Sequence, residues 1–179
     1  MNSTLSKLLS EENIYVNYEK LNDEILGCYY SIDGYELIVI NETLLDNIKL
    51  HNCILAEEIG HYKTSAGDNG PYLCNSTSDD LNHSRTENRA LKYAVDILVP
   101  TEKLLNLIMN YDVINACDLS DYFEVTKDFI LLKFYFLSLI KMEYELSCNR
   151  FLVLSSYPSI YIYENFERRN EYGIHSKTS

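Results

Sequence analysis

Apolar residues recur along this chain with two different periods, and the change of period divides it into elements. Leu5, Leu8 and Leu9 stand at helical spacing and predict a short amphipathic helix over residues 3–10. Apolar and polar positions then alternate from Ile14 to Tyr18. Runs rich in Tyr, Ile and Val follow at Gly27–Ser31 and Tyr35–Ile40, around the pair Asp33-Gly34. An Asp-Gly step between two β-forming runs is a strong hairpin signal, so a small antiparallel sheet is expected. Asn41–Thr43 supplies capping chemistry for a helix running to about Ser65, where Ala66-Gly67-Asp68-Asn69-Gly70-Pro71 ends it. Residues 67–82 are polar and predict a mobile loop.

Helical periodicity resumes from Ser84 to Leu98, stops at Val99-Pro100, and resumes to Met109 with Thr101 as the cap. Ala116, Leu119, Tyr122 and Phe123, then Val125-Thr126 and Phe129, Leu132 and Phe136, suggest two helices joined by a tight turn, with Thr126 as N-cap of the second. That is helix-turn-helix spacing. Because the second helix lacks a basic face, a packing unit is the better reading than a DNA reader. A late hairpin is expected from Phe151–Leu154 and Ile160–Tyr163 around Tyr157-Pro158-Ser159, with a loose polar tail after Phe166. The expected organisation is a domain over 1–110, a helical subdomain over 111–147, and a hairpin and tail over 148–179.

The chain has 179 residues and is 46% hydrophobic, enough to bury a core. The apolar run from Phe129 to Ile140 contains Lys133 and is too short to span a bilayer. With no secretory pattern in Met1–Lys7, a cytoplasmic protein without membrane association is expected. Five cysteines (Cys28, Cys53, Cys74, Cys117 and Cys148) include no C-x-x-C pair and are expected to be reduced. A net charge of -12 opposes binding to a phosphate backbone, so no direct nucleic-acid partner is expected.

The candidate chemistry lies in Cys53-Ile54-Leu55-Ala56-Glu57-Glu58-Ile59-Gly60-His61-Tyr62. Glu57 and His61 are i, i+4 on one helix face, about 5–6 Å apart at Cβ. In the H-E-x-x-H pattern two such side chains hold a metal and the intervening Glu is general base; here Glu57 stands where the first His would be. A third ligand is needed, and Glu87 on the next helix is the best candidate, with Ala90 and Ala94 permitting close approach. Each residue also has a plainer explanation. Ser84-x-x-Glu87 fits a capping box, Glu57 and Glu58 fit an exposed acidic face, and His61 fits a helix C-terminus. Against these, Ile54, Leu55 and Ala56 imply partial burial of the acidic pair, and buried carboxylates require pairing or a cation. Gly60 inside the helix costs about 1 kcal/mol against Ala, which suggests close approach of another backbone or of substrate. His51 and His83 are spare imidazoles, and Tyr62 and Arg85 are potential donors to a reacting carbonyl.

Taken with Gly27-Cys28-Tyr29-Tyr30, Glu36–Asn41, Gly67-Asp68, Arg85-Thr86-Glu87-Asn88-Arg89-Ala90, Tyr93-Ala94, Leu98-Val99-Pro100 and Leu119-x-x-Tyr122-Phe123-x-Val125-Thr126, this segment resembles the ImmA/IrrE metallopeptidases of phages and mobile elements. The likeness covers roughly residues 5–135, in a variant with E-E-x-x-H in place of H-E-x-x-H. It implies an α+β, minimal zincin-like fold: a small antiparallel sheet on an active-site helix, then a helix-turn-helix-like helical part. It further implies a zinc-dependent endopeptidase that cleaves a helix-turn-helix transcriptional repressor and so derepresses genes. By position Glu58 would be the catalytic base, and Glu57, His61 and Glu87 the metal ligands. Two anionic ligands would neutralise more of the metal's charge and give manganese a better chance against zinc. The alternative is an anti-repressor or adaptor that binds a repressor without cutting it.

Overall fold

A computed structural model of the chain describes residues 2–64, 80–111 and 115–165, with the side chains of 80–84 outside that description. The order of elements is α1 (Ser3–Glu11), β1 (Ile14–Glu19), β2 (Gly27–Ile32), β3 (Tyr35–Asn41), a short 3-10 turn, α2 (Ile48–Thr64), α3 (Asp80–Leu98), α4 (Thr101–Asn110), α5 (Ala116–Phe123), α6 (Lys127–Ile140), β4 (Glu143–Ser147), β5 (Arg150–Ser156) and β6 (Ser159–Glu164). This is an α+β fold, with one small sheet on each side of a helical layer.

Asn2 caps α1 by accepting from the Thr4 amide at 3.0 Å, and Leu5 and Leu9 turn inward. The Asp33-Gly34 hairpin forms as its composition predicts. Both residues have positive φ, at 51° and 81°, the type I′ geometry whose twist matches the flanking strands. The first sheet is ordered β1-β3-β2, and here the expectation of an antiparallel sheet needs correcting. β2 pairs antiparallel with β3, but β1 pairs with β3 in parallel, Val16 opposite Ile38 and Tyr18 opposite Ile40. Alternating residues define the faces of a strand, and the direction in which it joins its neighbour is decided by the connection, which here carries the chain across to the opposite edge.

Helix α2 lies between this sheet and α3. Leu55, Ala56 and Ile59 are fully buried, and burial runs round most of its circumference, as expected of an interior helix. Helix α3 begins at Asp80 rather than Ser84, so residues 80–82 of the expected loop are helical, and the rest of that loop, 67–79, lies outside the described residues. Thr101 is the first residue of α4 and not its cap, which is Pro100, whose carbonyl accepts from Leu104 at 2.9 Å.

The α5–turn–α6 unit matches the predicted spacing. Thr126 caps α6 by accepting from the Phe129 amide at 3.2 Å. The unit is tied to α2 by three side chains: Lys49 donates to Ser120 at 3.0 Å and pairs with Asp121, Asn52 donates to the Glu124 carbonyl at 3.1 Å, and Cys53 accepts from the Thr126 amide at 3.4 Å. Phe129, Ile130, Lys133, Phe134, Phe136 and Leu137 of α6 are buried, so the second helix of the unit is largely interior. The late hairpin is β5 and β6, with Leu152 opposite Ile162; β4, on residues whose pattern predicted no strand, adds to its other edge. Among the described residues no helix is long and apolar enough to cross a membrane.

Candidate metal centre

Two helices crossing at contact distance build the centre. A Cβ on Gly60 would lie 2.4 Å from the carbonyl oxygen of Ala90 and 2.9 Å from that residue's carbonyl carbon and Cα. Only a residue without a side chain lets α2 and α3 come this close. Ala90 and Ala94 are fully buried in the same seam. The mid-helix glycine therefore marks the close approach of a backbone, as its position suggested, and the small residues of α3 complete it.

This crossing brings Glu57 and His61 of α2 to Glu87 of α3. One donor atom from each lies within 4.8 Å of the others; Glu57 and Glu87 are half-buried and His61 is buried. His61 Nε2 is 3.4 Å from Glu87 Oε2. Two ligands bound at about 2.1 Å in a tetrahedral arrangement stand about 3.4 Å apart, so that pair already has ligand spacing. With α3 starting at Asp80, Ser84 sits inside the helix and cannot be its N-cap. The capping-box explanation of Glu87 therefore fails.

Glu58, next to Glu57 in α2, packs against Gly27 of the first sheet. It is 9% exposed, and the backbone N–H of Tyr29 in β2 donates to its carboxylate. Burial pushes its pKa up to about 7, with the charges of Glu57 and Glu87 adding to the rise while His61 and the Tyr29 amide oppose it. Burial likewise raises Glu57, against His61's attraction and with Glu87's repulsion. For His61, burial alone would depress the pKa, but the bond to Glu87 and the charges of Glu58, Glu87 and Glu57 reverse it and hold it above the ordinary value. Three carboxylates thus crowd one imidazole, and burial makes Glu57 and Glu58 resist ionising. A donor set of two carboxylates and an imidazole, its donor atoms within 4.8 Å of one another and carrying surplus negative charge, fits a divalent cation.

The remaining candidates fall elsewhere. His51 is buried at the start of α2, where the Tyr18 hydroxyl is 3.0 Å from its Nε2 and the two rings stack at 5.7 Å. Ten residues of helix, about 15 Å, separate it from His61. The side chain of His83 lies outside the described residues. Tyr62 donates to Glu12, the C-cap of α1, at 3.0 Å, and Lys63 pairs with the same carboxylate at 2.6 Å, so Tyr62 fastens α2 to the end of α1. Arg85 is exposed and lies about 200° round α3 from Glu87. The contribution of β2 was not foreseen: Gly27 and Tyr29 read as ordinary strand residues, and only the packing of the strand on α2 reveals that they touch Glu58.

Comparison with known families adds a separate observation. The peptidase family profile described as the IrrE N-terminal-like domain matches residues 9–135, which run from α1 into α6 and include Glu57, Glu58, His61 and Glu87. The chain belongs to this family. No curated protein and no solved structure matches it. Membership of the IrrE-like peptidases makes the chain a metallopeptidase of the ImmA/IrrE type, and such a peptidase requires a divalent metal. The crossing of α2 and α3 supplies a Glu-Glu-His group for one.

Proposed function

We propose that the protein is a zinc-dependent endopeptidase whose substrate is a helix-turn-helix transcriptional repressor, and that its action derepresses the genes that repressor controls. The observation that carries the reading is the meeting of Glu57, His61 and Glu87 from two crossing helices, with a buried fourth group, Glu58, beside them.

Glu57, His61 and Glu87 would hold the ion. When bound, the ion supplies Lewis acidity, which acidifies a water and polarises the scissile carbonyl. Glu58 would accept the proton of the attacking water and then deliver it to the departing amine nitrogen. A carboxylate titrating near 7 is well matched to both steps, because it can be a base before attack and an acid after it. The hydrogen bond from Tyr29 fixes one end of that carboxylate. Two anionic ligands favour harder ions more than two imidazoles would, so manganese would compete with zinc at this centre. The chain's charge of -12 complements the basic surface of a DNA-binding repressor and would steer the two together.

The test uses purified full-length protein and a helix-turn-helix repressor. Wild type should carry stoichiometric zinc or manganese and cut the repressor at one peptide bond. Glu58→Gln should retain metal and fold but lose cleavage, and His61→Ala should lose the metal. Cleavage retained by Glu58→Gln removes the proposed base. Glu57 in the place of a histidine favours one rival, an adaptor that binds the repressor without cutting it. That rival predicts a folded, metal-free protein that still forms the complex.

A further inference from the structure

We propose that strand β2, through Gly27 and the backbone of Tyr29, is the seat that sets the rotamer of Glu58, which makes Gly27 and Tyr29 positioning residues for the reaction. The proposal rests on the reading of Glu58 as general base.

Gly27 and Tyr29 are two apart in β2 and so share the face of the strand that looks onto α2. A Cβ on Gly27 would lie 3.1 Å from both Cγ and Oε1 of Glu58, and 2.7 Å from Cγ2 of Ile54. The side chains of Ile54 and Glu58 therefore border the space that a side chain at 27 would claim, Ile54 most closely. Two residues on, the Tyr29 amide donates to the same carboxylate. The bare backbone at Gly27 and the amide of Tyr29, both on β2, thus border the same carboxylate.

The seat is itself held firmly. The Tyr29 hydroxyl donates to Glu36 of β3, and its ring meets the ring of Tyr62 of α2 edge-on, at 5.8 Å and 73°. Tyr62 in turn donates to Glu12. Among the described residues strand β2 is at the edge of its sheet, paired with β3 on one side. The Tyr29 side chain offsets that freedom by bridging to both β3 and α2 beside the very residue whose amide is used. The nearest atoms to a Cβ on Gly27 belong to Ile54 and Glu58, and to none of Glu57, His61 or Glu87. Placement of the base is thus separable from the grip on the metal.

That separation defines the experiment. Full-length wild type, Gly27→Ala and Tyr29→Phe are loaded with zinc, assayed for zinc content, and compared for kcat and KM on the repressor. In parallel the Tyr29 amide is followed by proton-nitrogen NMR in wild type, Gly27→Ala and Glu58→Gln. Gly27→Ala should keep stoichiometric zinc and its KM but lose kcat by between about ten- and a hundredfold, the scale of a misplaced reacting group. Tyr29→Phe, which keeps the ring and the amide and loses only the anchor to Glu36, should show a smaller loss of the same kind. The Tyr29 amide proton should move upfield in Glu58→Gln, as a bond to a charged acceptor becomes one to a neutral acceptor. Wild-type kcat in a zinc-loaded Gly27→Ala protein overturns the proposal, as does an amide signal indifferent to Glu58→Gln. Should Gly27→Ala not fold, Tyr29→Phe and the amide signal decide. A wild type that cuts no repressor while its Tyr29 amide still responds to Glu58→Gln refutes the endopeptidase reading and leaves β2 as the seat of that side chain.

Discussion

Gly60 and Ala90 face each other so closely that a methyl group on the glycine would sit 2.4 Å from the alanine's carbonyl oxygen. The methyl carbon is fixed rigidly to one helix backbone and the oxygen belongs to the other, so no rotamer change relieves the clash; the helices themselves must part. Gly60→Ala is therefore a test with a sign. In an isolated helix the exchange gains about 1 kcal/mol. Here overpacking should outweigh that gain and leave a net loss of about 1–3 kcal/mol, read as a lower urea midpoint. Because the same crossing carries Glu87 to His61, zinc affinity should fall as well. A Gly60→Ala protein more stable than wild type would show that the seam is looser than 2.4 Å implies.

The acidic cluster should couple stability to pH in a way that a bound cation reverses. Glu58 titrates in the folded protein at about 7, raised mainly by burial, against an ordinary 4.5. A raised value means the folded state binds the proton more tightly. Its contribution to stability is thus complete below about pH 4.5 and is lost as pH climbs through 7, an amount of about 3 kcal/mol for Glu58 alone. Glu57 and His61 are displaced in the same direction and add to the trend. Chelator-treated protein should therefore lose stability between pH 5 and 7.5 at this site. A divalent cation needs the ionised carboxylates, so the rise in Tm on adding zinc should be larger at pH 7.5 than at pH 5. An equal rise at both would separate the cluster from the metal.

How far the site could be read from residues alone follows from the range of each interaction. Glu57 and His61 are one helical turn apart, so periodicity alone puts them on one face. Glu87 required a crossing partner, and Gly60 together with Ala90 and Ala94 signalled one. Gly27 and Tyr29 gave no such signal, since their role depends on which strand lies over α2. For the fold, the Asp33-Gly34 turn was legible because its backbone demands those residues, whereas the parallel pairing of β1 was not, because alternation is the same in either direction. The start of α3 was placed late because Asp80–His83 lack an apolar stripe. Strand β4 escaped notice because Glu143 and Glu145 interrupt it, and it is a strand by virtue of its ladder to β5.

Lys133 is 1% exposed and its Nζ is 2.5 Å from Asp96 Oδ1, which joins α6 to α3. Removing one partner and removing the charge altogether should have different outcomes. Asp96→Ala leaves an ammonium group in an apolar surround and should cost about 3 kcal/mol or somewhat less, since Asp96 itself is half exposed. Lys133→Met keeps the volume and removes the buried charge, and should be near neutral or stabilising. Chemical denaturation of the two variants checks this. A Lys133→Met protein as unstable as Asp96→Ala would mean the pair is worth more than the apolar packing that replaces it.

Cysteine reactivity offers a probe of the joint between α2 and α5–α6. Cys53 is buried beneath Thr126, and burial pushes its thiol up to about 11, an effect the hydrogen bonds from Thr126 only partly oppose. At pH 7.5 well under a thousandth of it is thiolate, the reactive form. Cys117 and Cys148 are exposed. Brief treatment with iodoacetamide at that pH should label Cys117 and Cys148 and spare Cys53, as read by peptide mass spectrometry. Thr126→Val should loosen the turn that covers Cys53, and label should then enter it on the timescale of local opening. If Cys53 is alkylated in wild type as fast as the exposed thiols, then α5–α6 is not seated on α2 and the tie made by Lys49, Asn52 and Cys53 does not hold in solution.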